Sequence, residues 1–136
     1  MPLVLVWPDP AQTDAAIQTL LTDITDDVIV AAWDPAGEDG GRTELLTSVR
    51  DARDALVARG ADPDELTLIG FGLGATAAAG LARYAKRLGI GLGRVLAVAG
   101  IWDEPDPFSR DLIEEVPERV ELVPDSYLLA TTLRRT

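Results

Sequence analysis

The sequence predicts an α/β fold, a three-layer, doubly wound sheet of five parallel strands with helices on both faces. Two observations carry this prediction. Short apolar runs alternate with segments of helical periodicity, and most of these runs are continuous, as in strands that are covered on both faces. The last run contains the charged Glu121 and is expected at an edge of the sheet. The predicted strands are Leu3–Trp7, Val28–Trp33, Leu66–Phe71, Val95–Ile101 and Val120–Val123.

Helices are predicted between the strands from the spacing of apolar residues. The first has Ile17, Leu20 and Ile24 at helical spacing, and the second is stopped by Gly60. The predicted helices are Ala11–Thr22, Thr43–Arg59, Leu73–Leu88 and a short one near Ser109–Val116. Because crossovers between parallel strands are right-handed, we expect the strand order 2-1-3-4-5. All 136 residues are expected to form one domain, residues 1–136.

Composition limits the chemistry and the partners of the chain. It has 23 acidic and 12 basic residues, a net charge of −11, and neither histidine nor cysteine. This charge argues against nucleic acid and anionic membranes as partners. The missing residue types exclude disulfides, thiolate ligands and an imidazole base. No apolar run has membrane-spanning length and the N-terminus lacks a basic leader region, so we expect a cytoplasmic protein.

The segment Leu66–Ala75 reads LTLIGFGLGA, an apolar strand that continues through glycines into a helix. It has the form of a nucleophile elbow, G-x-S-x-G, with Gly72 in place of the serine. The segment also fits the dinucleotide pattern G-x-G-x-x-A, but it follows the third strand, and Asp103 is too distant to be the ribose-binding acid. We therefore expect no cofactor. A further interpretation is that the glycines only permit a tight turn with close packing.

On these residues the chain resembles the α/β-hydrolase family, especially its esterase and thioesterase branches. Ala61–Ala75 is similar to the family's approach to the nucleophile, Pro2–Trp7 to the strand before the oxyanion loop, and Val120–Tyr127 to the segment that carries the catalytic histidine. Trp7-Pro8 replaces the family's His-Gly, and Tyr127 replaces its histidine. The resemblance implies a hydrolase fold reduced to a flavodoxin-like minimum, without a nucleophile or a base.

Aromatic residues end four of the predicted strands, and the carboxyl ends of parallel strands share one edge. Trp7, Trp33 and Trp102 are each followed by acids and prolines. In one interpretation the Asp-Pro pairs cap turns and the tryptophans fill the cavity of a lost substrate. In the other, the edge recognises a cationic small ligand or a protein partner. The candidate binding residues are Trp7, Asp9, Trp33, Asp34, Phe71, Gly72, Leu73, Trp102, Asp103 and Tyr127.

These observations predict a non-catalytic, hydrolase-like protein that acts as a binding or scaffold module through this edge. One alternative is an enzyme that uses Asp9, Asp34 or Asp103 as a general acid or base. The same three carboxylates, if they converged, would form a magnesium or calcium site. A third alternative is a self-associating structural subunit, a homo-oligomer that pairs through Val28–Trp33 or Val120–Val123.

Overall fold

The computed structural model describes residues 3–21 and 27–134 and contains one parallel sheet. Its strands are β1 (Val4–Trp7), β2 (Val28–Val30), β3 (Thr67–Phe71), β4 (Val95–Val98) and β5 (Val120–Val123). The order β2-β1-β3-β4-β5 confirms the predicted topology. The predictions that involve Pro2, Thr22 and Ile24 lie outside the described residues.

Within the described part of the chain, four α-helices flank the sheet: α1 (Asp14–Leu21), α2 (Arg42–Ala58), α3 (Leu73–Tyr84) and α4 (Leu129–Arg134). Helix α1 begins later than predicted, because the hydroxyl of Thr13 accepts a hydrogen bond from the Ala16 amide, 3.2 Å away, and starts the helix there. Gly60, with φ of 76°, follows the end of α2 as predicted. Helix α3 ends at Tyr84, before the predicted Leu88, and the chain continues in turns.

The two faces of the sheet bury separate sets of side chains, as its alternating strand geometry requires. Leu5 and Trp7 pack with α2 and α3 on one face. Val4 and Val6 pack with α1 and α4 on the other. All four side chains are fully buried, which accounts for the continuous apolar sequence of β1. The chain is therefore a three-layer α/β fold.

Strands β1 and β3 each begin one residue later than predicted, and β2 and β4 each end three residues earlier. Strand β4 ends at Val98, because Ala99 adopts a φ of 50° and cannot continue an extended ladder. Strand β2 ends at Val30 rather than Trp33, although the Ala31 amide still donates to the Val6 carbonyl at 2.9 Å. Both departures lengthen the loops at the carboxyl edge of the sheet.

The predicted helix near Ser109–Val116 is wrong, since this stretch forms turns and bends. Acids at i and i+4, Asp111 with Glu115 and Glu114 with Glu118, would repel on a helix by about 0.2–0.5 kcal/mol per pair. Pro117 also disfavours helical geometry in the residue before it. The segment still packs on the α3 face, where Ile113 is buried.

A buried carboxylate organises this segment instead. Asp106 is only 1% exposed, and its Oδ1 accepts hydrogen bonds from the amides of Phe108 at 2.7 Å and Ser109 at 3.0 Å. The hydroxyl of Ser109 donates to Oδ2. Gly80 on α3 leaves the space for this side chain, since a Cβ there would lie 2.7 Å from Asp106 Cγ. A polar turn thus replaces the expected helix.

Helix α4 lies after the last predicted strand, where no helix was predicted, and Arg94 holds it to the sheet. The guanidinium donates to the carbonyls of Leu133 at 2.9 Å and Thr132 at 2.8 Å. It also donates to both carboxylate oxygens of Glu121 on β5, at 2.8 and 2.6 Å. The Glu121 hydrogen bond raises the pKa of Arg94, against the opposing effect of partial burial. This side chain joins the last carbonyls of α4 to the edge strand.

We expect Arg94→Ala to lower the free energy of unfolding by about 2 kcal/mol, since hydrogen bonds to charged groups contribute about 1.5–3 kcal/mol. Urea denaturation followed by circular dichroism measures the change. Because the pKa of Arg94 is raised in the folded state, its contribution is present at all pH values below its ordinary pKa and is lost only above it. The loss should therefore be the same at pH 6 and pH 8. Arg134→Ala is the control, because Arg134 is an exposed arginine on α4 itself; an equal loss there would contradict the role of Arg94.

Candidate functional site

The turn between β3 and α3 places a glycine in a conformation that other residues avoid. Gly72 has φ of 56° and ψ of −117°, in the region that favours glycine. Its neighbours Gly70 and Gly74 are needed for a different reason, because a Cβ at either would collide with backbone. At position 70 it would meet the carbonyl of Gly74, and at position 74 the carbonyl of Trp7. The three glycines together let α3 begin directly against β1 and β3.

The carboxylate of Asp9 lies over Gly72. A Cβ built on Gly72 would be 2.9 Å from Asp9 Cγ and in collision with Oδ1. Oδ1 accepts a hydrogen bond from the Leu73 amide at 3.1 Å, and Oδ2 accepts one from the Ala11 amide at 3.1 Å. The Leu73 amide belongs to the first turn of α3, where unpaired backbone donors favour an anion. Asp9 thus supplies that anion from within the chain.

The loop that carries Asp9 is held by hydrogen bonds from Gln12 and from Trp33. The side-chain oxygen of Gln12 accepts a hydrogen bond from the Asp9 amide at 2.9 Å, and the Gln12 amide donates to the Asp9 carbonyl at 2.9 Å. Next to it, the indole of Trp33 donates to the Pro8 carbonyl at 2.9 Å. These bonds explain why the segment after β1 forms a closed turn in front of α1.

Trp7 and Phe71, both predicted to line the edge, lie in the core instead. Trp7 is 0% exposed and Phe71 is 3% exposed. The indole of Trp7 donates to the hydroxyl of Ser48 at 2.9 Å, and its ring stacks on Phe108 with 6.1 Å between centroids. Neither ring is available to a ligand.

A cleft of about 390 Å³ lies at the carboxyl edge beside the glycine turn. One side is formed by half-buried Trp33 and Leu73, and its lining carries four carboxylates against the single guanidinium of Arg110. The lining residues are Trp33, Pro35, Glu38, Asp39, Gly40, Leu73, Glu104, Pro105, Asp106, Pro107 and Arg110. The electrostatic character of this cleft is therefore acidic.

The four carboxylates differ in what already binds them. Asp106 is saturated by its own turn. Asp39 accepts hydrogen bonds from the amides of Gly41 and Thr43 at 3.0 and 2.9 Å, and hydrogen bonds from Thr43 hold its pKa below the ordinary value. Glu38 and Glu104 are exposed and make no hydrogen bond or ion pair with a described residue. Two carboxylates are thus free to meet a cation.

The other predicted site residues are dispersed. Trp102 borders a separate cavity of about 260 Å³ beside Leu122. Asp34 accepts a hydrogen bond from the Ala36 amide at 2.9 Å and shapes a turn. Asp103 is exposed, and Tyr127 is 91% exposed after β5.

A convergence of Asp9, Asp34 and Asp103 on a metal ion is not what the structure holds. Among residues 3–21 and 27–134, no three acidic side chains form a group that suits a cation. The sequence did not single out Glu38, Glu104 or Arg110 as cleft residues. Their only signal was the position of two acidic loops, GEDGG and WDEPDP, after predicted strands.

The fold and the turn define the class of this chain as a Rossmann-like, doubly wound α/β domain with a glycine at the tip of its β3–α3 turn. No family model, curated protein or solved structure matches it. Among the described residues, no helix has the length and apolar character needed to cross a membrane.

We expect Gly72→Ala to lower the free energy of unfolding by about 3 kcal/mol, from about 1–2 kcal/mol of backbone strain and the displacement of Asp9. Gly60→Ala is the matched control, because it has a φ of 76° with nothing within 4 Å; it should lose about 1–2 kcal/mol. Adding Asp9→Gly to Gly72→Ala should recover about 1 kcal/mol relative to additivity. Chemical denaturation of Gly72→Ala, Asp9→Gly, their double variant and Gly60→Ala measures this coupling, and strict additivity would show that Asp9 and position 72 do not compete for space.

Proposed function

We propose that this protein is a non-catalytic α/β-hydrolase-like domain that binds a cationic group in the cleft beside the glycine turn. The observation that carries the proposal is the carboxylate of Asp9, which takes the hydrogen bond of the Leu73 amide. In the hydrolases that the sequence resembles, the amide after the nucleophile stabilises an oxyanion. Here that donor already has an internal partner, and Gly72 offers no nucleophile.

The absence of an activating base supports the same proposal. The chain contains no histidine and no cysteine, so a hydroxyl introduced at the turn has no imidazole to take its proton. A substrate that approached the turn would also meet the negative charge of Asp9. The turn therefore suits a structural role, and binding falls to the cleft outside it.

The composition of the cleft favours a guanidinium or ammonium ligand. The face of Trp33 attracts a cation by about 0.5–2 kcal/mol, depending on how far it is desolvated. The free carboxylates of Glu38 and Glu104 add charge–charge attraction, and the net charge of −11 raises the local concentration of cations. A basic side chain of a protein partner and a small organic cation share this chemistry.

We expect Nα-acetylarginine amide to change the tryptophan fluorescence of the protein in a saturable way, whereas acetate at the same ionic strength does not. Trp33 should be the reporter, since it lines the cleft, Trp7 is fully buried and Trp102 borders a separate cavity. Glu38→Gln with Glu104→Gln should weaken binding about tenfold, equivalent to about 1.4 kcal/mol. Higher salt should weaken binding of the unmodified protein as well.

The control for this titration is Glu114→Gln with Glu115→Gln, which removes the same charge from an exposed loop outside the cleft. An equal weakening by both double variants would assign the effect to net charge and contradict a specific site. A flat titration of the unmodified protein would overturn the cleft as a cation site.

We expect no hydrolysis of p-nitrophenyl acetate above the buffer rate, either by the unmodified protein or by the Asp9→Gly, Gly72→Ser variant. The reason is that this variant gains a hydroxyl and clears the space around it but still has no imidazole. Absorbance of the released nitrophenolate measures the rate. Turnover by the unmodified protein that disappears in Asp9→Asn would instead favour an enzyme that works through carboxylates.

A further inference from the structure

A second groove lies between α2 and the turn that follows α3. Its volume is about 300 Å³, and its lining residues are Leu46, Val49, Arg50, Arg53, Leu88 and Ile90. None of these residues lines the acidic cleft. The turn after α3 leads to the amino end of β4, so the groove lies toward the opposite edge of the sheet. The charged residues of its lining are also opposite in sign to those that dominate the acidic cleft, since they are two arginines.

The guanidinium of Arg53 is held through one of its nitrogens, Nη1. Nη1 donates to the carbonyl of Pro63 at 3.3 Å, to Asp64 Oδ1 at 2.8 Å and to the carbonyl of Gly91. Nε and Nη2 make no hydrogen bond with any residue in the described part of the chain. The side chain is 22% exposed. The guanidinium is therefore fixed in place while its other donors stay available to an acceptor.

Arg50 adds a second, uncommitted guanidinium. It is exposed and has no hydrogen bond or ion pair within residues 3–21 and 27–134. It precedes Arg53 by three residues on α2, so the two side chains lie on the same side of the helix. Since Asp64 pairs with Arg53, the uncommitted positive charge at this groove is that of Arg50, on a chain with net charge −11.

The rest of the groove is aliphatic. Val49 is buried, Leu46 and Ile90 are half-buried, and Leu88 is 42% exposed. Apolar side chains and a pair of guanidinium groups thus occupy one concave surface. Its volume lies at the lower limit of ligand pockets, about 300 Å³, which suits a small molecule better than a helix of a partner.

We propose that this groove binds a small aliphatic carboxylate, with the carboxylate on Arg50 and Arg53 and the alkyl chain against Leu88 and Ile90. Guanidinium donors match carboxylate oxygens in pairs, and such charge-assisted hydrogen bonds are about twice as strong as neutral ones. The aliphatic wall then selects a carboxylate that carries an apolar chain. This proposal does not depend on the function proposed for the acidic cleft.

The test is a titration of the full chain with octanoate, followed by amide and arginine side-chain NMR signals. We expect saturable shifts at Val49, at residues 88–90 and at the side chains of Arg50 and Arg53. Arg50→Gln should weaken binding about tenfold, within the range of a charged hydrogen bond. Arg42→Gln, on the same helix, also exposed and outside the groove, should leave binding unchanged. Leu88→Ser keeps both arginines and should also weaken binding.

Three outcomes would overturn the proposal. Octanol or octylammonium that binds as tightly as octanoate would show that the arginines do not recognise the carboxylate. Acetate that binds as tightly as octanoate would show that the apolar wall contributes nothing. Octanoate shifts that are absent at millimolar concentration, or that centre on Trp33 and Leu73, would show that the groove is not the site.

Discussion

The rest of this structure depends on one close contact, between the first turn of α3 and the carboxyl end of β1. Gly74 meets the Trp7 carbonyl so closely that no Cβ fits between them. Gly70 and Gly72 complete the turn, one by leaving room for α3 and the other by adopting a positive φ. The contact brings the amide of Leu73 within 3.1 Å of Asp9. Interior packing at this density leaves little freedom for larger residues.

The contact between β1 and α3 places a negative charge beside the first turn of α3, and the proposed function depends on that placement. A carboxylate of the chain occupies the anion position at the beginning of α3, so the site is neutralised from within. The acidic loops after β2 and β4 then surround an outer cleft whose Glu38 and Glu104 have no partner among the described residues. Between α2 and the turn after α3, a second groove is lined by Arg50 and by Arg53, which pairs with Asp64. The protein thus carries an acidic cleft and a second concave surface whose charged lining residues are arginines, a difference that the net charge of −11 does not convey.

The segment between β4 and β5 packs on the α3 face of the sheet without forming a regular helix. The segment between β4 and β5 is organised by the hydrogen bonds of buried Asp106 and anchored by Ile113. On the other face, Arg94 holds the carboxyl end of α4 against the edge strand through Glu121. Both devices use a charged side chain to satisfy backbone groups that a longer helix would satisfy by itself.

The sequence by itself determined the fold class, the strand order and the glycine turn, because continuous apolar runs and right-handed crossovers leave few alternatives. It also excluded imidazole and thiol chemistry by composition. Tertiary structure decided the rest. Strand ends predicted an aromatic edge, but the Trp7 side chain lies in the core against Ser48 and Phe108. The helix predicted near Ser109–Val116 is replaced by a turn built on Asp106. The roles of Asp9 and Arg53 come from partners up to 64 residues away. Local periodicity records which side of an element is apolar, whereas such contacts depend on how the elements meet.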